Sequence, residues 1–360
     1  MKSLFFSYCL SVLSVLFFSN TSLARTMVYV SNADDGEIAA YNMDKETGKL
    51  HLAQRVKAGD SVMPLAVSPD KKTLYAAIRS TPYSIVSFSI QSTNGELTEQ
   101  SQAVLPHDIC FVHADTSGKN VLTTSYGSSA LMVNRLDDKR LVQEASVSVY
   151  PTGLYAHSLL LDSSNQFLFV ANKGSDQVMQ FKFDASTGKV SPNSPASIKT
   201  AKESGPRHIR FSPDQKFVYL LNELDGTVNV YAFDKARGVL TEKQSILMAK
   251  KPFKEKPSAA EIQITPNGKF VYTSERRTNT INVFQRDQQS GLLTLIESVP
   301  TETKPRSFTL SPDGKFLLSA GQLSNHLSVY KIDQSSGQLT HLARYAVGKN
   351  PSWVEVVDLP

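Results

Sequence analysis

One unit returns along this chain every 46 to 53 residues, and that repeat limits the possible folds more than any other feature. Its clearest copy is Ser68-Pro69-Asp70-Lys71-Lys72-Thr73-Leu74-Tyr75; relatives begin at Asp115, Asp162, Ser212, Thr265 and Ser311, spaced 47, 47, 50, 53 and 46 residues apart. Each copy is a polar turn followed by an aromatic or aliphatic run. Proline presets the first turn angle, and Asp, Asn or Gly tolerates the second. A second landmark, Gly-x-Leu-Thr, follows at Gly95, Gly291 and Gly337, with weaker copies at Gly48, Lys139, Gly188 and Gly238, which makes seven. The turn has six copies because the seventh unit is split between the chain ends. Val28-Tyr29 matches Leu74-Tyr75 one repeat earlier, and the last apolar run, Trp353 to Val357, supplies the missing strand.

Between the landmarks the apolar period is two, as in Phe217-Val218-Tyr219-Leu220-Leu221, and no segment carries a sustained helical stripe. Units of this length with about four strands each are propeller blades. The expected fold is therefore all-β, a seven-bladed β-propeller closed by pairing of the N- and C-terminal strands, which leaves no free sheet edge. The single tryptophan excludes the Trp-Asp signature of docking propellers. Lys250 to Pro257, rich in Lys and Pro, reads as a loop that lengthens one blade, and Asp34-Asp35-Gly36 as a hairpin turn.

Residues 1–24 read as a cleaved signal peptide, leaving 25–360 as a single propeller domain. Lys2 gives a positive start, Leu4 to Phe18 is apolar, and Ser22-Leu23-Ala24 offers small residues to a signal peptidase. The apolar run is short of the roughly 20 residues a spanning helix needs, so no membrane association is expected after cleavage. Cys9 falls in this segment. Cys110, in the apolar run Ile109-Cys110-Phe111-Val112, is then the only cysteine left and reads as a buried inert thiol. An exported chain without a disulfide suits a bacterial periplasm. Of 38 basic residues one is Lys2, which leaves a net charge of +4 against 33 acidic residues, dispersed and too small to argue for nucleic acid.

In each unit an inner strand runs into the turn and the next strand runs back. The start of the first and the end of the second lie at the same end of the ring. Those places hold Arg207-His208 with Asn222-Glu223, His157 with Asn172-Lys173, Glu261 with Glu275-Arg276, and Arg306 with Gly321-Gln322. Four adjacent blades thus put ionisable groups at one mouth of the channel. On spacing alone, a structural ion-pair belt and a catalytic set both fit. His208 and Glu261 are one residue out of phase with Arg207 and Arg306, which would turn them toward the blade interface. The other histidines show no ligand spacing, and there is neither a glycine-rich phosphate loop nor a Gly-x-Ser-x-Gly elbow, so no metal or cofactor is expected.

These stretches resemble the bacterial 6-phosphogluconolactonase propeller family, to which fungal muconate lactonising enzymes are related. The likeness is carried by Gly205-Pro206-Arg207-His208, Asn222-Glu223, Pro305-Arg306, Ala320-Gly321-Gln322 and the ending Pro351-Ser352-Trp353-Val354, and it spans the chain after the signal segment. It implies a metal-independent lactonase whose functional His, Arg and Glu correspond to His157, Arg207 and Glu223, with a further Arg at Arg276. Hydrolysis needs an activated water and a stabilised oxyanion. Glu223 is expected as general base, with His157 as the alternative base or ring-oxygen acid. Arg207 and Arg276 would hold the carbonyl oxygen and sugar hydroxyls, and His208, Asn222, Glu261 and Arg306 would bind substrate. A signal peptide separates the protein from phosphorylated sugars made inside the cell, so an unphosphorylated aldonolactone such as gluconolactone is expected over 6-phosphogluconolactone. A muconate-type lactonisation and a non-catalytic binding propeller are the other readings.

Overall fold

A computed structural model describes residues 25–359 of the protein; the expected signal segment, 1–24, lies outside the described residues. Among them, twenty-eight strands, β1 to β28 in chain order, form seven four-stranded antiparallel sheets. Each sheet is one blade. The inner strands β28 (Pro351–Asp358), β4 (Val62–Val67), β8 (Phe111–Ala114), β12 (Ala156–Leu161), β16 (Pro206–Phe211), β20 (Ala259–Ile264) and β24 (Pro305–Leu310) pack side by side in that order around a central channel.

The split blade closes as expected. β28 is the inner strand of blade one and pairs with β1 (Thr26–Asn32) from Thr26↔Asp358 to Asn32↔Pro351. Thr26 Oγ1 donates to Asp358 at 2.5 Å, and the Leu359 amide donates to the Arg25 carbonyl at 2.8 Å. β2 (Glu37–Met43) and β3 (Leu50–Lys57) complete the sheet. The 250–257 loop lies between β19 (Val239–Leu247) and β20, and Asp34-Asp35-Gly36 turns β1 into β2.

Both sequence landmarks have a physical reason. In the polar turn the first side chain accepts a backbone N–H five residues on: Ser68 Oγ from Thr73 at 2.9 Å, Asp162 Oδ1 from Phe167 at 2.7 Å, Ser212 Oγ from Phe217 at 3.0 Å. Ser, Asp and Thr are therefore interchangeable there. The glycine landmark joins neighbouring blades. Tyr29, Tyr219 and Tyr272 each donate a hydroxyl at 2.8 Å to the carbonyl of Gly95, Gly291 and Gly337 in the next blade. At Gly291 the backbone is left-handed (φ 77°) and a Cβ would stand 2.3 Å from the Phe217 ring, so only glycine fits.

The core is the set of interfaces between blades. Phe217, Tyr219 and Leu221 of blade five pack on Ile262, Val271 and Phe284 of blade six, all buried. Each such side chain contributes about 1.5–3 kcal/mol.

Candidate active site

At one end of the channel the inner strands depart from regular pairing. In β16 against β17 (Phe217–Asn222), Pro206 faces Asn222 and His208 faces Leu221, so Arg207 is an extra residue. The same one-residue bulge sets apart His157 in β12, Arg306 in β24 and Ser352 in β28. A bulge re-aims the extra side chain and strengthens the local twist. The residue that follows each second strand completes the mouth. Arg79 follows β5 (Thr73–Ile78), Tyr126 follows β9 (Asn120–Ser125), Lys173 follows β13 (Phe167–Asn172), Glu223 follows β17, and Arg276 follows β21 (Phe270–Glu275).

Arg79, Cys110, Tyr126, His157, Lys173, Glu223, Arg276 and Arg306 line one cavity of about 190 Å³. Glu223 is its hub. Lys173 Nζ donates to Oε1 at 2.6 Å, Arg276 Nη2 lies 3.1 Å from the same oxygen, and Arg207 Nε lies 3.0 Å from Oε2. Arg207 is 1% exposed and donates a second nitrogen to the Ala260 carbonyl. Arg276 Nε is fixed on the Ser258 carbonyl at 3.0 Å. Arg306 makes no hydrogen bond or ion pair with the described residues, so its planar donor fork is free for a ligand. His157 is buried; its Nδ1 is enclosed without a partner, which leaves Nε2 as the nitrogen open to the cavity. The Tyr126 ring stacks on Tyr155 at 4.6 Å and meets His157 edge-on at 6.1 Å, walling one side. A roomier hollow of about 570 Å³ under the 250–257 loop is lined by Phe253, two prolines and the charged residues Lys250, Lys251, Lys254, Glu255, Glu275 and Arg277; it holds no histidine and lies outside the channel mouth.

Residues 27–356 match the family described as "Lactonase, 7-bladed beta-propeller". The chain belongs to the seven-bladed β-propeller lactonase family. It is 35% identical to the 6-phosphogluconolactonase of Serratia proteamaculans over 92% of this chain and 99% of that one. It is 37% identical to the 6-phosphogluconolactonase of Photorhabdus laumondii over 93% and 100%. Among solved structures, the periplasmic gluconolactonase of Pseudomonas aeruginosa superposes with a TM-score of 0.86 at 27% identity, over 94% of this chain and all of that one.

The charges of this cavity act strongly on one another. Burial raises the Glu223 carboxyl, but Arg207, Arg276 and Lys173 outweigh it and hold its pKa at about 2. Burial, then Arg207 and His208, push His157 well below the usual histidine range, so its imidazole is neutral at physiological pH. Burial, then neighbouring arginines, lower Arg207 to about 9 and Arg306 to about 10. Burial likewise raises the Cys110 thiol. It is buried as expected, but it faces this cavity.

Three sequence expectations need correction. His208 and Glu261 do not line the mouth; nor do they turn into the blade interface. The bulge resets the alternation, so they sit one layer deeper on the channel axis, with His208 Nδ1 and Glu261 Oε1 2.9 Å apart. There His208 packs against Phe111 and Trp353, with ring centroids 5.7 and 6.0 Å away, which plugs the channel. Below the plug, Arg210, Glu261, Gln263, Trp353 and Glu355 line a second cavity of about 190 Å³. Asn222 points into its own blade, donating to Thr227 Oγ1 at 2.9 Å and to Asn229, and so ties β17 to β18 (Thr227–Asp234). The sequence reading also missed Arg79, Tyr126 and Cys110 as cavity residues. Positions 79, 126, 173, 223 and 276 are spaced 47, 47, 50 and 53 apart, the interval of the turns, so carrying that phase into blades two and three would have found the first two.

The buried histidines make the lactonase acid-labile. Burial, complete at His208 and partial at His113, holds both at about 4. A histidine whose folded pKa is depressed contributes stability above its unfolded pKa of about 6.5 and loses it as pH falls toward the folded value. Each accounts for on the order of 3 kcal/mol between pH 6.5 and 4. Burial raises Glu355 to about 7, which acts in the opposite sense and offsets roughly one histidine. Denaturant unfolding at pH 7 and pH 4.5 should therefore show a loss of at least about 2 kcal/mol at the lower pH; equal stability at both would contradict the burial of these rings.

Proposed function

We propose that this lactonase hydrolyses an unphosphorylated aldonolactone, with glucono-δ-lactone as the test substrate, in the periplasm. The observation that carries the reading is the convergence, in one cavity, of a neutral imidazole and a guanidinium that have no protein partners, His157 and Arg306, around a carboxylate already neutralised by three cations. Water attacks the lactone carbonyl as its proton passes to His157, and Arg306 with Arg276 receives the oxyanion. Collapse of the tetrahedral adduct breaks the ring C–O bond. His157 returns the proton to the departing ring oxygen, and the open-chain acid leaves.

Glu223 is poorly suited to the base role expected of it. Both of its oxygens are already taken, Oε1 by Lys173 and Arg276 and Oε2 by Arg207, whereas His157 Nε2 is open to the cavity; the depressed pKa is common to both groups and does not separate them. The place of Glu223 is to fix Arg207, Arg276 and Lys173 before substrate arrives. Residues 1–24, with the features of a signal peptide, support the periplasm, as does the likeness to a structure described as a periplasmic gluconolactonase. Four cations around the cavity against one carboxylate favour a second reading, in which the lactone is phosphorylated like the substrate in the relatives' names.

Purified protein should release acid from glucono-δ-lactone well above the spontaneous rate. His157→Asn should lose roughly a hundredfold to ten-thousandfold in kcat, as for loss of a general base. Full activity in that variant would remove His157 from the reaction. A kcat/KM far higher for 6-phosphogluconolactone would decide for the phosphorylated reading.

A further inference from the structure

Two enclosed nitrogens beneath the cavity lack partners: His157 Nδ1 and His208 Nε2. They belong to rings on neighbouring inner strands, with centroids 5.2 Å apart. Two imidazoles joined by an N–H···N bond of ~2.9 Å, each nitrogen ~1.1 Å from its ring centre, have centroids about 5 Å apart. Burying a polar atom without a partner is costly, and here one unsatisfied atom can answer the other. The strands are locked at this level, because Ser158 Oγ donates to the Arg207 carbonyl at 2.6 Å.

Resting on the hydrolytic reading above, we propose that Glu261, His208 and His157 form a hydrogen-bonded series that fixes the tautomer of the His157 base. Glu261 starts the series. Its Oε1 accepts from Arg210 Nη2 at 3.1 Å and from the Ile262 amide at 3.0 Å, and lies 2.9 Å from His208 Nδ1. A carboxylate so held can only accept, so His208 carries its hydrogen on Nδ1 and presents a lone pair at Nε2. A small rotation about the soft χ2 torsions lets that lone pair accept from His157 Nδ1–H. His157 Nε2 is then unprotonated, and it is the nitrogen open to the cavity. When water's proton reaches Nε2, the imidazolium is stabilised through His208 by the carboxylate, with no further bond made or broken. Phe111 and Trp353, edge-to-face at 5.6 Å, close the other side of His208 and keep water from competing for Nε2. His208 and Glu261 are thus positioning residues; neither touches the reacting atoms.

The test has a substrate-free arm and a kinetic arm. In protein labelled with ¹⁵N-histidine, imidazole shifts should report His157 as the Nδ1–H tautomer. Glu261→Gln keeps the shape but can donate to His208 Nδ1, and His208→Phe keeps the ring without nitrogens. Both should move His157 toward the Nε2–H tautomer and lower kcat for glucono-δ-lactone by roughly tenfold to a thousandfold at nearly constant KM. A wild-type His157 in the Nε2–H form overturns the series whether or not the variants fold. So does an unchanged kcat in folded Glu261→Gln. An Nδ1–H tautomer in a protein that hydrolyses no lactone would uphold the series and sink the hydrolytic reading instead.

Discussion

A chain that stops at Asn350 will not form the ring. The missing residues are the whole of β28, so blade one loses its inner strand and β1 loses its pairing from Thr26 to Asn32. Trp353, Val354, Val357 and Leu359, all buried, go with it. At about 1.5–3 kcal/mol for each such side chain, the loss is of the same order as the whole 5–15 kcal/mol of a typical domain. The edge of β1 left without a partner also becomes a template for aggregation. We expect the truncated protein to be insoluble, or to melt at least roughly 10 °C below the parent. Soluble yield and a thermal melt are sufficient checks. A truncated chain that melts like the full one would mean that β28 is decoration on a ring closed some other way.

Glu223→Gln should damage both stability and rate. The substitution keeps the shape but removes the counter-charge of Arg207, which is 1% exposed and has no water to turn to. Removing one partner of a buried ion pair typically costs about 3–5 kcal/mol. Without the carboxylate, Lys173, Arg207 and Arg276 repel one another, and the oxyanion site spreads. We expect kcat to fall by roughly a hundredfold or more, together with the melting temperature. His157→Asn should lose rate with little change in melting. If Glu223 were the proton acceptor and not the anchor, Glu223→Gln would be inactive without melting lower, and His157→Asn would keep most of its rate. Kinetics and melting on both variants therefore separate anchor from base. A Glu223→Gln protein that is fully stable yet inactive would return the base role to Glu223.

The architecture was legible because its signals are local and repeated. A Ser-Pro-Asp turn needs only its own few residues, and seven second landmarks, six of them glycines, fix the phase of the blades even where a turn is degenerate, as at Asp115. Closure was legible because a strand was missing from one end and spare at the other. The site was legible in part. Arg207, Glu223, His157, Arg276 and Arg306 meet because each stands at a strand end whose height the repeat already sets. Depth was not legible. A bulge inserts one residue without a marker of its own, so Arg207 and His208 occupy different layers where strict alternation would send them to opposite faces. Pro206, Pro305 and Pro351 stand just before three bulged residues, but Ala156 holds the same place before His157, so proline is no dependable sign. Asn222 was misplaced for a related reason: its neighbour Glu223 has left the strand and faces the mouth, while Asn222 is still inside it.

The bulges also separate what this scaffold is from what it does. An extra residue stands outside the hydrogen-bond ladder, so its side chain can change without disturbing the register on which blade packing depends. His157, Arg207, Arg306 and Ser352 hold four such places in this chain, and at Ser352 the hydroxyl donates to Asn350 and serves the local turn. The register survives such a change, but a bulge side chain that is buried and paired, as Arg207 is with Glu223, can change cheaply only together with its partner. Two rings of this kind can share every turn and still act on different molecules. A chimera carrying another ring's bulge residues, together with the side chains that pair with them, should inherit that ring's substrate and keep this ring's melting temperature.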